Sequence, residues 1–177
     1  MGLTYVDLDE TTRKYMLDEL NRDIEEKKVN FSSYFNETGE RIWLAKLKEA
    51  IQNYDDDWLA NQLKRNQCFL VSKPFTTKTG KTSMRSVPHT AAETFAEGEF
   101  NRLYMRAICL RALAGGGKTV VVYRGKTVEN PREGSEYKIG HYVPANELLT
   151  DLRSSQGRGT RLGIGEPNSG ISVKLSR

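Results

Sequence analysis

The residues in this sequence most suggestive of chemistry are Gly115-Gly116-Gly117-Lys118-Thr119. A glycine-rich turn followed by Lys and Thr is how a phosphate-binding loop offers backbone N–H groups and a cation to a nucleotide. The full pattern needs a glycine at position 112, where the chain has Ala112. A phosphate loop also follows a strand and opens a helix, whereas the apolar pattern here closes a helix before Gly115 and opens a strand at Thr119. Without a helix N-terminus aimed at the phosphate, most of the binding physics is missing. A glycine turn ending a helix is the expected structure. Asp55-Asp56-Asp57 gathers carboxylates of the kind a hard cation takes, but no fourth oxygen ligand stands at a telling spacing. A helix N-terminus attracts the same residues, so capping is expected. Cys68 and Cys109 are too few for a disulfide scaffold or a four-ligand zinc site. Cys109 reads as a small core residue, and a pairing of Cys with Cys or His in space stays open. His89 and His141 lie near prolines in loop-like contexts without metal-ligand spacing. No catalytic residue, metal or cofactor is expected, and the chain is expected not to be an enzyme.

A different kind of chemistry stands at residues 72–86, SKPFTTKTGKTSMRS. Lys73, Lys78, Lys81 and Arg85 occur there with no acidic residue, among Thr, Ser and one Gly. The stretch carries no sustained period and reads as a loop or extended hairpin with Thr79-Gly80 near its tip. Structureless loops of this length are uncommon in compact domains and tend to be functional or disordered. Such an arm can neutralise phosphates without sequence preference, contact another protein subunit, or remain a solvated hairpin. Phe75 is its one aromatic residue, so recognition of single strands by stacked bases has little support. Arg158 and Arg161, in a glycine-rich loop between Arg153 and Gly170, are further candidates for contact with a partner or nucleic acid.

These residues need elements to position them. At 177 residues the chain suggests one domain, with an acidic helical front over 1–66, a basic extended arm over 72–88 and a central helix plus small sheet with long loops over 89–177. Met16, Leu17, Leu20 and Ile24 predict a helix from about Glu10 to Lys28, capped by Asp9. Asn36 to Gly39 read as a turn before a second helix, Glu40 to Tyr54, that buries Ile42, Trp43, Leu47 and Ile51. Asp55 caps a third helix with Trp58, Leu59 and Leu63. Cys68-Phe69-Leu70-Val71 reads as a short strand. Thr90-Ala-Ala-Glu93 is a capping-box pattern opening the longest helix, to Ala114, with Glu99 able to pair with Arg102. Strands are predicted at 119–124 and 171–175, with a short helix after Pro144 whose Leu148, Leu149 and Leu152 face inward. The expected class is α+β and mainly helical, with the long helix at 90–114 as the spine for the N-terminal helices and a small C-terminal sheet.

The net charge of +4 hides unequal segments. Residues 1–63 balance at −6, residues 64–88 at +6, residues 89–117 at zero, and residues 118–177 at +4. An acidic front and basic remainder suggest an acidic partner, nucleic acid, or copies meeting head to tail. No apolar run approaches the ~20 residues of a membrane span, and MGLTYVDLDE lacks the basic and apolar regions of a secretory signal, so no membrane role is expected.

Tyr123-Arg124-Gly125 at a strand end, with Glu97-Gly98-Glu99 elsewhere, is faintly similar to the arginine strand and acidic motif of ADP-ribosyltransferases. There the arginine strand comes first; here the order is inverted. A broader likeness is carried by EGEFNRLYMRAICLRAL (Glu97 to Leu113), then VVYRGK, then NSGISVKL near the C-terminus. Together these resemble a family of uncharacterised proteins associated with prophages and tailed bacteriophage gene clusters, over residues 1–25 and 85–177. The resemblance implies a genomic setting and no catalytic residue. The expectation it frames is a virion structural protein, a head–tail adaptor or neck (connector) component assembled in the host cytoplasm as a ring of copies of itself, touching portal and tail or neck proteins. The alternative is a small basic accessory phage protein that binds nucleic acid, with non-specific DNA contact, or inhibits host defence.

Overall fold

The computed structural model describes residues 2–128, 134–155 and 159–176. It is an α+β fold in which, among the described residues, four α-helices pack around a fifth, long one and a three-stranded sheet closes one side.

Helix α1, Glu10–Glu25, starts where the Asp9 side chain accepts from Thr12 N–H at 2.9 Å. It stops short of the expected Lys28 because Lys27 takes a positive φ of 55°, which breaks the repeat. Met16 and Leu20 are buried as expected, but Ile24 is exposed, and the same inward face carries Glu19 and Asp23. Helix α2, Glu37–Asn53, begins earlier than the apolar pattern suggests, because Asn36 is its N-cap and accepts from Gly39 N–H at 3.0 Å. Gly39 is needed for closeness: a Cβ there would collide with the Cys68 carbonyl and the Phe35 ring. The C-terminus of α2 has no basic residue of its own; the Arg13 guanidinium of α1 caps it instead, donating to the Ile51 and Tyr54 carbonyls at 2.7 and 2.9 Å. Helix α3, Asp56–Arg65, is capped by Asp55, which accepts from Trp58 N–H at 2.9 Å.

Residues 68–71 form no strand; Phe69 makes a single bridge to Phe35, and the ladder begins at Ser72. Strands β1, Ser72–Thr76, and β2, Thr82–Ser86, make an antiparallel hairpin apart from the main sheet. Helix α4, Ala91–Ala114, is the spine: Phe100, Leu103, Tyr104, Ala107 and Ile108 are fully buried. Burial runs nearly all the way round it, which is the signature of a helix enclosed by others. The predicted capping box does not form, since Thr90 makes no side-chain bond to the helix and Glu93 pairs with Lys64 of α3. Helices α1 and α3 pack directly on α4, and α2 reaches it through Trp43, whose ring lies 4.7 Å from that of Phe95.

Strand β3, Thr119–Arg124, lies between β4, Tyr142–Pro144, and β5, Ile171–Leu175, both antiparallel to it. The pairing of 119–124 with 171–175 follows the alternation in the sequence; β4 is too short to have shown a period. Helix α5, Ala145–Ser155, turns Leu148 and Leu152 onto α4. Among the described residues no helix is long and apolar enough to cross a membrane.

Candidate functional site: the basic hairpin

The 72–86 segment is an ordered hairpin, so the ladder itself offsets part of the cost of ordering a polar arm. Its tip is closed by Thr77 N–H donating to the Lys81 carbonyl at 2.8 Å and Gly80 N–H donating to Thr77 O at 2.9 Å. Gly80, with φ of 79°, supplies the left-handed turn that the Thr79-Gly80 signal suggested. Lys73 lies opposite Arg85 in the ladder, and Lys78 and Lys81 flank the tip. An isolated two-stranded hairpin is marginal in water; this one is fastened at its root. Lys73 Nζ donates to the Ser33 carbonyl at 2.9 Å and sits 5.7 Å above the Tyr34 ring, a cation–π contact.

The six expected contact residues therefore differ in role. Lys73 is engaged with the body of the protein. Lys78, Lys81 and Arg85 are exposed and have no carboxylate partner among the described residues. Exposed apolar side chains interleave with them: Val71 is 89% exposed, Met84 60%, and Phe75 is also open. Arg161 belongs elsewhere. Its backbone N–H donates to Asp151 of α5, and its guanidinium pairs with Glu147 at 3.3 Å. Arg158 lies outside the described residues.

The largest ionic constellation among the described residues is internal and was not among the sequence expectations. Arg106 of α4 is 0% exposed and binds both Glu19 and Asp23 of α1, with its Nη1 2.7 Å from Asp23 Oδ2. Arg102 joins Asp23 and Glu99, each at 3.0 Å, so the predicted Glu99–Arg102 pair forms but in a buried setting. Arg153 of α5 closes on Glu19 through Nε and Nη2. The signal was present as two four-residue spacings, Glu19/Asp23 and Arg102/Arg106, each placing like charges on one helical face. Burial alone would raise the carboxyls of Glu19 and Asp23, but the guanidinium hydrogen bonds and charges outweigh it and hold both below their ordinary values. Acids held so firmly ionised make poor proton donors, and the cluster ties α1, α4 and α5 together rather than supplying acid–base chemistry.

This network changes the meaning of the charge asymmetry. Three of the fourteen acidic residues of the front are neutralised by arginines from later in the chain: Asp9 by Arg111 at 2.8 Å, and Glu19 and Asp23 as above. The front is thus a weaker acceptor for a neighbouring copy than its net charge of −6 suggests.

Gly115-Gly116-Gly117 ends α4 with Gly117 N–H donating to Ala112 O and Gly116 N–H to Leu113 O, with Gly116 at a φ of 77°. These paired bonds are a Schellman closure. The negative end of the helix dipole faces Lys118, opposite in sign to what a phosphate requires. Arg124 donates to the Ser169 carbonyl at 3.3 Å, while Glu97 pairs with Lys126 at 2.7 Å, so the two are not joined. Among the described residues no group of His, Cys, Asp and Glu could hold a metal ion. Both cysteines are buried; burial raises the Cys68 thiol and pushes that of Cys109 up to about 12, far from a reactive thiolate. A cavity of about 250 Å³ opens below the hairpin root between Tyr34, Phe95, Gly98 and Pro167, with Glu99 at its wall. That carboxylate is already held by Asn30 and Arg102.

No protein-family model, no curated protein and no solved structure matches the chain.

Proposed function

We propose that this chain is a non-catalytic assembly component whose basic hairpin docks on an acidic surface of another protein. In the setting implied by the resemblance to prophage and tailed-phage proteins, it is a virion structural protein, a head–tail adaptor or neck component carried in a ring at the portal. The observation that supports docking is the contrast between a body whose buried arginines, Arg102 and Arg106, are paired with carboxylates and a hairpin whose Lys78, Lys81 and Arg85 lack carboxylate partners among the described residues. Because Glu19 and Asp23 are held inside, the acceptor is better sought on a portal, tail or neck protein than on the acidic front of a second copy. The exposed Val71, Phe75 and Met84 favour a protein over a phosphate backbone, since phosphates offer nothing to aliphatic side chains.

Charge reversal at Lys73, Lys78, Lys81 and Arg85 tests this reading. The expected outcome is failed particle assembly with the subunit still folded. Normal assembly together with lost DNA binding, in a protein whose DNA affinity falls steeply with salt, would replace it by the accessory nucleic-acid-binding reading.

A further inference from the structure

The hairpin has two outer edges, and they are not equivalent. Val87 N–H donates to Val71 O at the root and Thr77 N–H to Lys81 O at the tip. With the register running from Ser72↔Ser86 to Thr76↔Thr82, the pairs bonded inward are 71/87, 73/85, 75/83 and 77/81, because bonded and non-bonded pairs alternate along an antiparallel ladder. The backbone groups of Ser72, Pro74 and Thr76 on β1, and of Thr82, Met84 and Ser86 on β2, therefore point away from the hairpin. On β1 the central position is Pro74, which has no N–H to offer. On β2 all three residues keep theirs, every residue of the strand is exposed, and among the described residues β2 borders no strand but β1.

We propose that the outer edge of β2 accepts an extended, acidic segment of a partner protein as an added strand. This inference rests on the docking role of the hairpin and specifies how the docking is made. Main-chain bonds to Thr82, Met84 and Ser86 supply affinity, and side chains on the two faces supply selectivity. Lys81 and Arg85 stand on one face with Ser83 between them, and Met84 stands on the other. The fitting strand sets carboxylates against Lys81 and Arg85 and an apolar side chain against Met84. Opposite charges across a ladder stabilise it and like charges destabilise it, so β2 of a second copy is a poor occupant: it brings Lys81 and Arg85 against their own kind. The competing account is that Lys81, Arg85 and Pro74 only protect an edge from unwanted pairing.

The probes are a labelled N-acetylated peptide alternating Glu and Val over eight residues, its Lys/Val counterpart, two forms of the Glu/Val peptide N-methylated at alternate amides, and a short duplex DNA. Binding is read by fluorescence anisotropy, and exchange at the Thr82, Met84 and Ser86 amides by hydrogen–deuterium exchange. The Glu/Val peptide is expected to bind at least tenfold more tightly than the Lys/Val peptide and to slow exchange at those three amides. One N-methylated form should lose tenfold or more while the other keeps its affinity, because only one set of amides faces β2. Met84→Pro should weaken the unmodified peptide by a similar factor. Since that variant can also loosen the hairpin, the comparison of the two N-methylated forms on the unaltered protein decides. Equal binding of the two forms overturns strand addition. If that binding still falls with Lys81→Glu and Arg85→Glu, charge-based docking survives alone. Binding of DNA without any of the acidic peptides overturns both, and no binding of any probe leaves edge protection as the account of these residues.

Discussion

Arg106 shows how much a single side chain can carry in this fold. A guanidinium with no exposure is tolerated because Glu19 and Asp23 meet it on three nitrogens, and removing one partner leaves uncompensated charge in a low dielectric. Arg106→Met is expected to cost about 3–5 kcal/mol in urea denaturation, whereas a surface arginine such as Arg161 should change little on the same substitution. Asp56 is the opposite case. Its Oδ2 accepts from Leu3 N–H at 3.1 Å, its Oδ1 has no partner, and burial together with the nearby Glu97 charge pushes its carboxyl up to about 6. The folded protein thus holds this proton more tightly than the unfolded chain does. The resulting stability is fully present below the unfolded value and is lost as pH rises through about 6. Glu19 and Asp23 act with the other sign: their folded values are depressed, so their contribution is present above the unfolded carboxylate value and is lost as pH falls through the folded one. Stability should peak near the unfolded carboxylate value, at about pH 4, and fall from there to about pH 6. Asp56→Asn should abolish the fall above that point, a difference of up to about 3 kcal/mol at pH ~8, measured by urea denaturation across the range.

At the scale of elements, α4 is the member on which the rest depend, and Phe100 sits fully buried at its middle against Tyr5, 5.1 Å between ring centres. Phe100→Ala is expected to cost about 3–5 kcal/mol; an unchanged unfolding midpoint would contradict the spine role. The turn after α4 gives a second check. An added methyl at Gly116 meets no neighbour, so Gly116→Ala isolates the cost of the left-handed backbone, about 1–2 kcal/mol. Lys118 is exposed beyond that turn, so Lys118→Ala should leave stability within about 0.5 kcal/mol. Isothermal titration with Mg-ATP should be flat for both the parent and the variant; heat that disappears with Lys118 would restore the phosphate-loop reading.

For the whole molecule, the body and the hairpin are expected to respond independently. Charge reversal of Lys78, Lys81 and Arg85 removes no ion pair to a described residue, so thermal and urea unfolding should shift by no more than about 0.5 kcal/mol. A large loss of stability on that substitution would mean that the hairpin has an internal acidic partner. The docking proposal would then lose its footing.

The sequence by itself determined the elements whose signals are local. The long helical run of α4, the glycine stop after Ala114, the Asp55 cap, the strands at 119–124 and 171–175 and the inward leucines of α5 all follow from spacing, because a period or a cap is written within a few neighbouring residues. The rest was decided by residues brought together from far apart. Thr90 and Glu93 carry a capping pattern, yet Lys64 is near enough to take the glutamate. Residues 68–71 have strand composition but make scattered backbone bonds, to Tyr34, Asn36 and Val87, in place of a ladder. Charge was the most misleading quantity along the chain, because its sum takes no account of pairing. The acids of α1 and the arginines of α4 and α5, separated by 79 to 134 positions, cancel in the folded core, and only the fold reveals that Lys78, Lys81 and Arg85 of the hairpin are left without a carboxylate partner among the described residues.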